Sequence, residues 1–165
     1  METNSHSANS VLREKLIEHV FVGDLFRCQW RRGARDMEIL RPEVDRAGYD
    51  IVLEANGVVR HLQLKASFRQ ARTAQVGIHV DLAAKPSGCV LWILFDEASL
   101  DLGPFRWFGG PPNAPLPPLG DRVGRHTKAN ADGHKAERPN IRIVRKGQFE
   151  LLQTIEDVAG RLFGS

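Results

Sequence analysis

The dipeptide Asn56-Gly57 constrains the fold more than any other feature of the sequence. Asn-Gly is typical of a two-residue type I′ turn, because both central residues of that turn have positive φ. The runs on either side, residues 51–55 and 58–64, are rich in apolar residues. They are therefore predicted to form the two antiparallel strands of a β-hairpin.

A two-residue turn also fixes the register of the hairpin. It places Leu53 opposite Arg60 and Asp50 opposite Gln63, with opposing Cβ atoms about 4.5–5.5 Å apart. Lys65 lies on the same face as Gln63, because side chains alternate along a strand. The apolar residues of the other face are Ile51, Leu53, Leu62 and Leu64. The hairpin is therefore predicted to hold a carboxylate, an amide and an ammonium group together at its open end, away from the core.

The periodicity of the remaining sequence predicts two helices and several short strands. An amphipathic helix is predicted from Val11 to about Cys28, with Ser10 as its N-cap, and a closing helix from Phe149 to Phe163. The candidate strands cover residues 36–41, 76–82, 90–95, 105–108 and 141–144. This order of elements predicts an α/β or α+β domain built around a small sheet.

The length of 165 residues suits one domain over residues 11–165, after a flexible tail of residues 1–10. Residues 109–120 contain five of the nine prolines and are predicted to form an irregular loop. Residues 121–139 are polar and basic without apolar periodicity, so a flexible basic loop is predicted there.

Composition excludes several classes of protein. Two cysteines, Cys28 and Cys89, are too few for a disulfide scaffold or a cysteine-rich zinc module, and they suit a reducing compartment. The longest apolar run, residues 89–95, is far shorter than the roughly 20 residues of a membrane helix. We therefore expect a cytoplasmic protein without a membrane partner.

The polar cluster of the hairpin has the ligand types that a hard divalent cation prefers. Asp50 supplies a charged oxygen and Gln63 a neutral one, and a backbone carbonyl such as that of Leu64 would add another. A metal bound there would polarise a phosphodiester and lower the pKa of a bound water. Lys65 would orient that water or neutralise charge on the phosphate. The alternative interpretation is a surface ion pair between Asp50 and Lys65.

The run Gly48–Leu53, the Asn-Gly turn and the run His61–Lys65 together resemble the PD-(D/E)XK nuclease superfamily. The resemblance extends over roughly residues 11–67. It implies an α/β restriction endonuclease-like core, with a central mixed β-sheet flanked by an N-terminal helix and a C-terminal helix. The elements of that core follow the order helix, three strands, helix and strand. The triplet Gln63-Leu64-Lys65 resembles the Gln-x-Lys variant of Mrr-like restriction endonucleases and some Holliday-junction resolvase-like proteins.

The resemblance also implies a site and a reaction. The implied catalytic residues are Asp50, Gln63, Lys65 and Glu18, of which Asp50, Gln63 and Glu18 would hold Mg²⁺ or Mn²⁺. Glu14, one helical turn before Glu18, is the second choice for the acid from the first helix. The implied reaction is hydrolysis of DNA phosphodiester bonds, and a homodimer is expected by analogy.

Gln63 replaces a carboxylate of the superfamily motif, so the site has less negative charge and is expected to bind metal more weakly. The alternative function is therefore a catalytically inactive member of the same fold that binds nucleic acid or another protein. A further alternative is a protein partner for the proline-rich and basic loops, without any nucleic acid.

The net charge of +3 arises beyond residue 120, since residues 1–120 carry equal numbers of acids and bases. Residues 121–147 contain eight bases and three acids, which suits contact with phosphates or, alternatively, a solvated loop. The candidate nucleic-acid-binding residues are Ser67, Arg122, Arg125, Lys128, Lys135 and Arg138. For Ser67 the alternative is a turn or helix-cap serine. His126 and His134 match no common zinc spacing.

Overall fold

The computed structural model describes residues 9–164, which form two α-helices and nine β-strands. The helices are α1 (Ser10–Arg31) and α2 (Ile155–Phe163), and short 3₁₀ helices cover Val80–Ala84 and Lys146–Gln148. The strands are β1 (Glu38–Leu40), β2 (Ile51–Ala55), β3 (Val58–Phe68), β4 (Gln75–His79), β5 (Gly88–Phe95), β6 (Leu102–Gly109), β7 (Val123–Arg125), β8 (Glu137–Arg145) and β9 (Glu150–Leu152).

The predicted hairpin and its register are confirmed. Strands β2 and β3 are antiparallel, and Leu53 pairs with Arg60. Asn56 and Gly57 have φ values of 54° and 73°, as a type I′ turn requires. The local sequence is sufficient for this prediction because a two-residue turn leaves a single register for the strands that it joins.

Six strands form a mixed sheet in the order β1-β2-β3-β5-β6-β9. Strands β3 and β5 are parallel, and the other neighbouring pairs are antiparallel. The predicted α/β class, with a mixed sheet flanked by an N-terminal and a C-terminal helix, is therefore confirmed. The connection from β3 to β5 runs through β4 and the 3₁₀ helix Val80–Ala84, where the superfamily order implied an α-helix.

The main sheet is covered on both faces. Helices α1 and α2 pack on one face over a core that includes Phe21, Leu91 and Leu162. On the other face, β4, β8 and β7 form a second, antiparallel sheet, and the core there includes Ile78, Trp92 and Val144. Strand β5 is buried along almost its whole length, as its continuous apolar sequence predicts.

The first helix differs from its prediction at both ends, since it begins at Ser10 and extends to Arg31 instead of ending near Cys28. Its N-cap is Asn9 and Ser10 is its first residue, so the prediction of Ser10 as N-cap and tail residue was wrong. Residues 1–8 of the predicted tail lie outside the described residues. The apolar stripe enters the core from Ile17 onwards, whereas Leu12 and Leu16 are exposed.

The predicted helix from Phe149 to Phe163 is divided in two. Residues 150–152 form β9, which pairs with β6, and α2 begins only at Ile155. The Thr154 hydroxyl accepts a hydrogen bond from Asp157 N (3.1 Å), and the Asp157 carboxylate accepts one from Thr154 N (3.1 Å). This reciprocal capping begins the helix at a point that the apolar periodicity alone does not mark.

The two predicted loops have different outcomes. Residues 110–120 form no helix or strand, and Leu116 of this loop is buried in the second core. The basic segment is not one continuous loop, because it contains β7 and the start of β8. The side chains of residues 137–140 are exposed, so this part of β8 has no alternation of apolar and polar residues from which a strand could be predicted. Backbone pairing with β7 makes it a strand.

Arg60 ties the main hairpin to the C-terminal helix. Its side chain is fully buried and donates hydrogen bonds to the carbonyl oxygens of Leu162 (2.8 Å), Arg161 (2.9 Å) and Gly110 (3.0 Å). The guanidinium therefore satisfies the free carbonyls at the end of α2.

Both cysteines are free and buried, and burial raises the pKa of the Cys89 thiol to about 12. Neither described helix, α1 nor α2, combines the length and apolar character needed to cross a bilayer.

Candidate active site

The candidate site lies where β3 extends beyond its partner β2. The ladder between them ends at the pair of Ile51 and Leu62, so residues 63–68 have no β2 partner. Asp50 continues the hydrogen bonding along this edge of β3. Its backbone N–H donates to Leu62 O (2.9 Å), and its Oδ2 accepts from Leu64 N (2.6 Å). The Asp50 carboxylate is thereby fixed beside the Gln-x-Lys triplet.

A cleft of about 560 Å³ opens at this edge between β3 and the first turns of α1. It brings together the residues that sequence analysis selected for the catalytic site and both candidate acids of the helix. The predicted residues that line it are Glu14, Glu18, Asp50, Gln63, Lys65 and Ser67. Gln63, Lys65 and Ser67 alternate along β3 and therefore share one face of the strand.

Asp50 and Lys65 carry opposite charges in a partly desolvated environment. Burial raises the pKa of the Asp50 carboxyl, although the hydrogen bond from Leu64 N and the nearby Lys65 oppose this rise. Burial likewise lowers the pKa of the Lys65 ammonium, and Asp50 opposes that change. Within residues 9–164, no ion pair joins the two groups, so the surface ion pair of the alternative interpretation does not form.

Glu18 is buried within the cleft and already has two cationic partners. Its Oε1 accepts a hydrogen bond from Arg41 Nε (2.9 Å), and its Oε2 lies 3.4 Å from Lys15 Nζ. Glu18 is near enough to Asp50 to raise the pKa of that carboxyl. Glu14, the second choice, is exposed and acts electrostatically on Lys65.

The amide oxygen of Gln63 is buried and has no hydrogen-bond partner in the described structure. Leaving such an acceptor unpaired costs about 1–3 kcal/mol. A cation coordinated by this oxygen and by the Asp50 carboxylate would remove that cost, because hard cations prefer oxygen ligands. The donor set therefore fits a divalent metal at this position.

The number of acidic ligands is small. Among residues 9–164, no three His, Cys, Asp or Glu side chains are grouped so that they could hold a metal ion, and this includes His126 and His134. A metal at the cleft would depend on Asp50, Glu18 and the neutral oxygen of Gln63. We therefore expect weaker binding than at a site with three carboxylates.

The structure brings two of the candidate nucleic-acid-binding residues to the site and leaves four elsewhere. Ser67 lines the cleft, and its hydroxyl accepts a hydrogen bond from Trp92 Nε1 (3.0 Å), so it is neither a turn nor a cap serine. Arg138 lines an adjoining cleft together with Gln63 and Lys65. Arg122 donates to Gln75 Oε1 (3.4 Å) at the second sheet. The others, Arg125, Lys128 and Lys135, are exposed on the β7–β8 hairpin and line neither cleft.

Three polar residues of the adjoining cleft were missed by sequence analysis: Asp45, Arg46 and His79. The loop before β2 supplies Asp45 and Arg46, and the end of β4 supplies His79. The alternation of residues 76–82 indicated a strand but not its place in the molecule. The pairing of β4 with β8, more than 60 residues later, determines that place.

No protein-family model matches the chain, and no curated protein sequence matches it. A solved structure that it resembles is that of a bacterial homing endonuclease, I-Ssp6803I, with 18% sequence identity and a TM-score of 0.32. The match covers 73% of this chain and 85% of the endonuclease.

Proposed function

We propose that this protein is a divalent-metal-dependent nuclease of the PD-(D/E)XK type that hydrolyses phosphodiester bonds of DNA. The observation that carries the proposal is the unpaired, buried Gln63 oxygen beside the fixed Asp50 carboxylate, with Lys65 in the same cleft. This combination supplies oxygen ligands for a cation and a positive charge for a phosphate.

The proposed metal is Mg²⁺ or Mn²⁺, held by Asp50, Gln63 and Glu18. When bound, such a metal polarises the phosphodiester and lowers the pKa of a coordinated water. The hydrogen bond from Leu64 N holds the Asp50 carboxylate in place, so this ligand needs little reorganisation.

Lys65 is proposed to contact the reacting phosphate. Burial lowers the pKa of its ammonium, and the described residues provide it with no hydrogen bond or ion pair. Its N–H groups therefore remain available to orient water or to neutralise the charge that develops on the phosphate.

The test is cleavage of several DNA forms by purified protein with Mg²⁺ or Mn²⁺, compared with Lys65→Met. Loss of a preorganised charge of this kind lowers kcat by about 10²–10³-fold. Lys85→Met, which removes a lysine that lines neither cleft, is the matched control and should cleave like the unmodified protein. Equal cleavage by Lys65→Met, or no cleavage by any of the proteins, would contradict the catalytic assignment.

A second candidate function is a catalytically inactive nucleic-acid-binding module of the same fold. The ion pair between Glu18 and Arg41 favours it, because it occupies the carboxylate that would complete the metal site. This function predicts DNA binding that is independent of divalent metal and persists in Asp50→Asn. Titration calorimetry with Mn²⁺ separates the two: the nuclease proposal requires binding that Asp50→Asn abolishes.

A further inference from the structure

We propose that the adjoining cleft, between β3 and the second sheet, binds the phosphate next to the scissile one, and that His79, Arg138 and Arg46 form this subsite. The inference rests on the proposed function and extends it to the substrate: the protein would act on a strand with consecutive phosphates, not on a single phosphodiester.

The two clefts share part of their lining. The adjoining cleft, about 350 Å³ in volume, shares Asp45, Gly48, Gln63 and Lys65 with the first one. A strand whose reacting phosphate contacts Lys65 therefore has its next phosphate within reach of the residues of the second sheet.

The guanidinium groups of the adjoining cleft have no ion-pair partner among the described residues. Arg138 is close enough to Lys65 to contribute to the lowering of its pKa. Neither Arg138 nor Arg46 forms an ion pair with any residue in the described range. Asp45 and Asp50 offset this charge in part, and both act electrostatically on Lys65. Guanidinium groups without partners in a cleft are suited to bidentate contact with a phosphate.

His79 adds a ring N–H donor to these cations. Its Nδ1 accepts a hydrogen bond from Asp81 N (3.1 Å) at the start of the 3₁₀ helix. A ring nitrogen that accepts a hydrogen bond carries no proton, so the ring proton is on Nε2. Since the side chain lines the cleft, Nε2–H is its remaining polar group for a ligand.

The position of His79 is fixed by close packing. Gly48 has a φ of 76°, and a Cβ at this residue would overlap with Cβ of His79 and approach Gln63 Nε2 to 3.4 Å. The loop that leads to Asp50 therefore contacts both the proposed metal site and the proposed subsite, which keeps the two in a constant relative position.

The test is the affinity for two thymidine oligomers, one with a single phosphate and one with two, measured by fluorescence competition with Ca²⁺ in place of Mg²⁺. The unmodified protein is expected to bind the two-phosphate oligomer about tenfold more tightly or better, since hydrogen bonds to charged groups are strong. His79→Asn and Arg138→Gln should remove this difference and retain the affinity for the single phosphate.

Two controls separate the subsite from structural effects. Asparagine at position 79 preserves an acceptor for Asp81 N but lacks the distal donor, whereas His79→Gln provides a donor near the place of Nε2 and should retain most of the difference. Arg27→Gln removes an exposed charge that lines neither cleft and should change nothing.

Each result has a defined meaning. If the unmodified protein binds both oligomers equally, or if His79→Asn and Arg138→Gln retain the difference, the subsite is refuted while the proposed nuclease function stands. If neither oligomer binds and no longer DNA binds either, both proposals are refuted. The subsite is supported if the tighter binding of the two-phosphate oligomer is lost in His79→Asn and Arg138→Gln but retained in the unmodified protein and in Arg27→Gln.

Discussion

The Asp50 carboxylate completes the hydrogen bonding of β3 and also carries a charge that burial disfavours. Its Oδ2 accepts from Leu64 N, so part of the side chain has a structural function. Its pKa is nevertheless raised, because the loss of solvation exceeds the effects of this hydrogen bond and of Lys65. In the absence of metal, the ionised group therefore lowers the stability of the fold.

Asp50→Asn should therefore stabilise the metal-free protein at neutral pH. The amide oxygen can still accept from Leu64 N, and the buried charge is removed. We expect the Tm at pH 7 to rise by about 2–4 °C, the shift produced by about 1 kcal/mol in a chain of this size. The gain should disappear as the pH falls towards 4, because a group with a raised folded-state pKa contributes its full stability below its unfolded pKa.

Thermal unfolding between pH 4 and pH 8 in chelator measures this effect. Glu54→Gln, which removes an exposed acid from the same hairpin, is the matched control and should leave the Tm nearly unchanged. Mg²⁺ should then raise the Tm of the unmodified protein but not that of Asp50→Asn, because a metal stabilises the state that binds it. A lower Tm for Asp50→Asn than for the unmodified protein at pH 7 would contradict this prediction.

At the level of elements, two glycines with the same backbone conformation have different roles. Gly57 in the hairpin turn has a φ of 73°, and a Cβ there would meet no atom within 4 Å. Gly48 in the loop before β2 has a φ of 76°, and a Cβ there would overlap with His79. Gly57 is needed only for the backbone conformation of its turn, whereas Gly48 also permits the loop before β2 to pack closely against His79 of β4.

Gly57→Ala and Gly48→Ala measure this difference directly. The left-handed conformation alone should cost about 1–2 kcal/mol in Gly57→Ala. In Gly48→Ala the added overlap should bring the cost to about 2–5 kcal/mol. Urea unfolding gives both free energies. Equal losses of unfolding free energy in the two variants would show that the loop before β2 can move away from β4. The inference that this loop holds the two clefts in a constant relative position would then be wrong.

Much of the secondary structure was predictable where local signals decide it. The Asn-Gly turn, the buried strand β5 and the proline-rich loop depend on residues close in sequence. The strand predicted at residues 141–144 is part of β8. Strands β7 and β9 and the first part of β8, residues 137–140, were missed, because strand pairing, and not their own periodicity, makes them strands. Arg60 was predicted to lie in the hairpin, but its capping of α2 requires contacts about 100 residues away.

For the whole molecule, the net positive charge arises from one segment of the chain. Residues 1–120 have a net charge of zero, because their acids and bases are equal in number. Residues 121–147, which include β7 and β8, carry eight bases and three acids. Under the proposed function, the exposed bases of this segment contact the phosphate backbone and contribute affinity that depends on salt but not on sequence.

Combined replacement of Arg125, Lys128 and Lys135 by glutamine should weaken DNA binding and reduce its salt dependence. The slope of log Kobs against log salt concentration should become shallower by about 0.9 for each phosphate that the variant no longer neutralises. Filter binding or anisotropy over a range of salt concentrations measures the slope. Replacement of Arg27, Arg35 and Lys85, three bases outside the segment, is the charge-matched control. An equal change of slope in that control would mean that net charge, not the segment, governs binding.

The sequence by itself determined the hairpin, its register and the polar triad of Asp50, Gln63 and Lys65, because a two-residue turn and strand alternation act over a few residues. The resemblance of the sequence to the nuclease superfamily implied Glu18, and the structure places this residue in the cleft. Only the tertiary structure decided that Arg41 neutralises Glu18 and that Arg138 and His79 adjoin the site. Those contacts depend on the packing of a second sheet and a helix against β3, which no local pattern specifies.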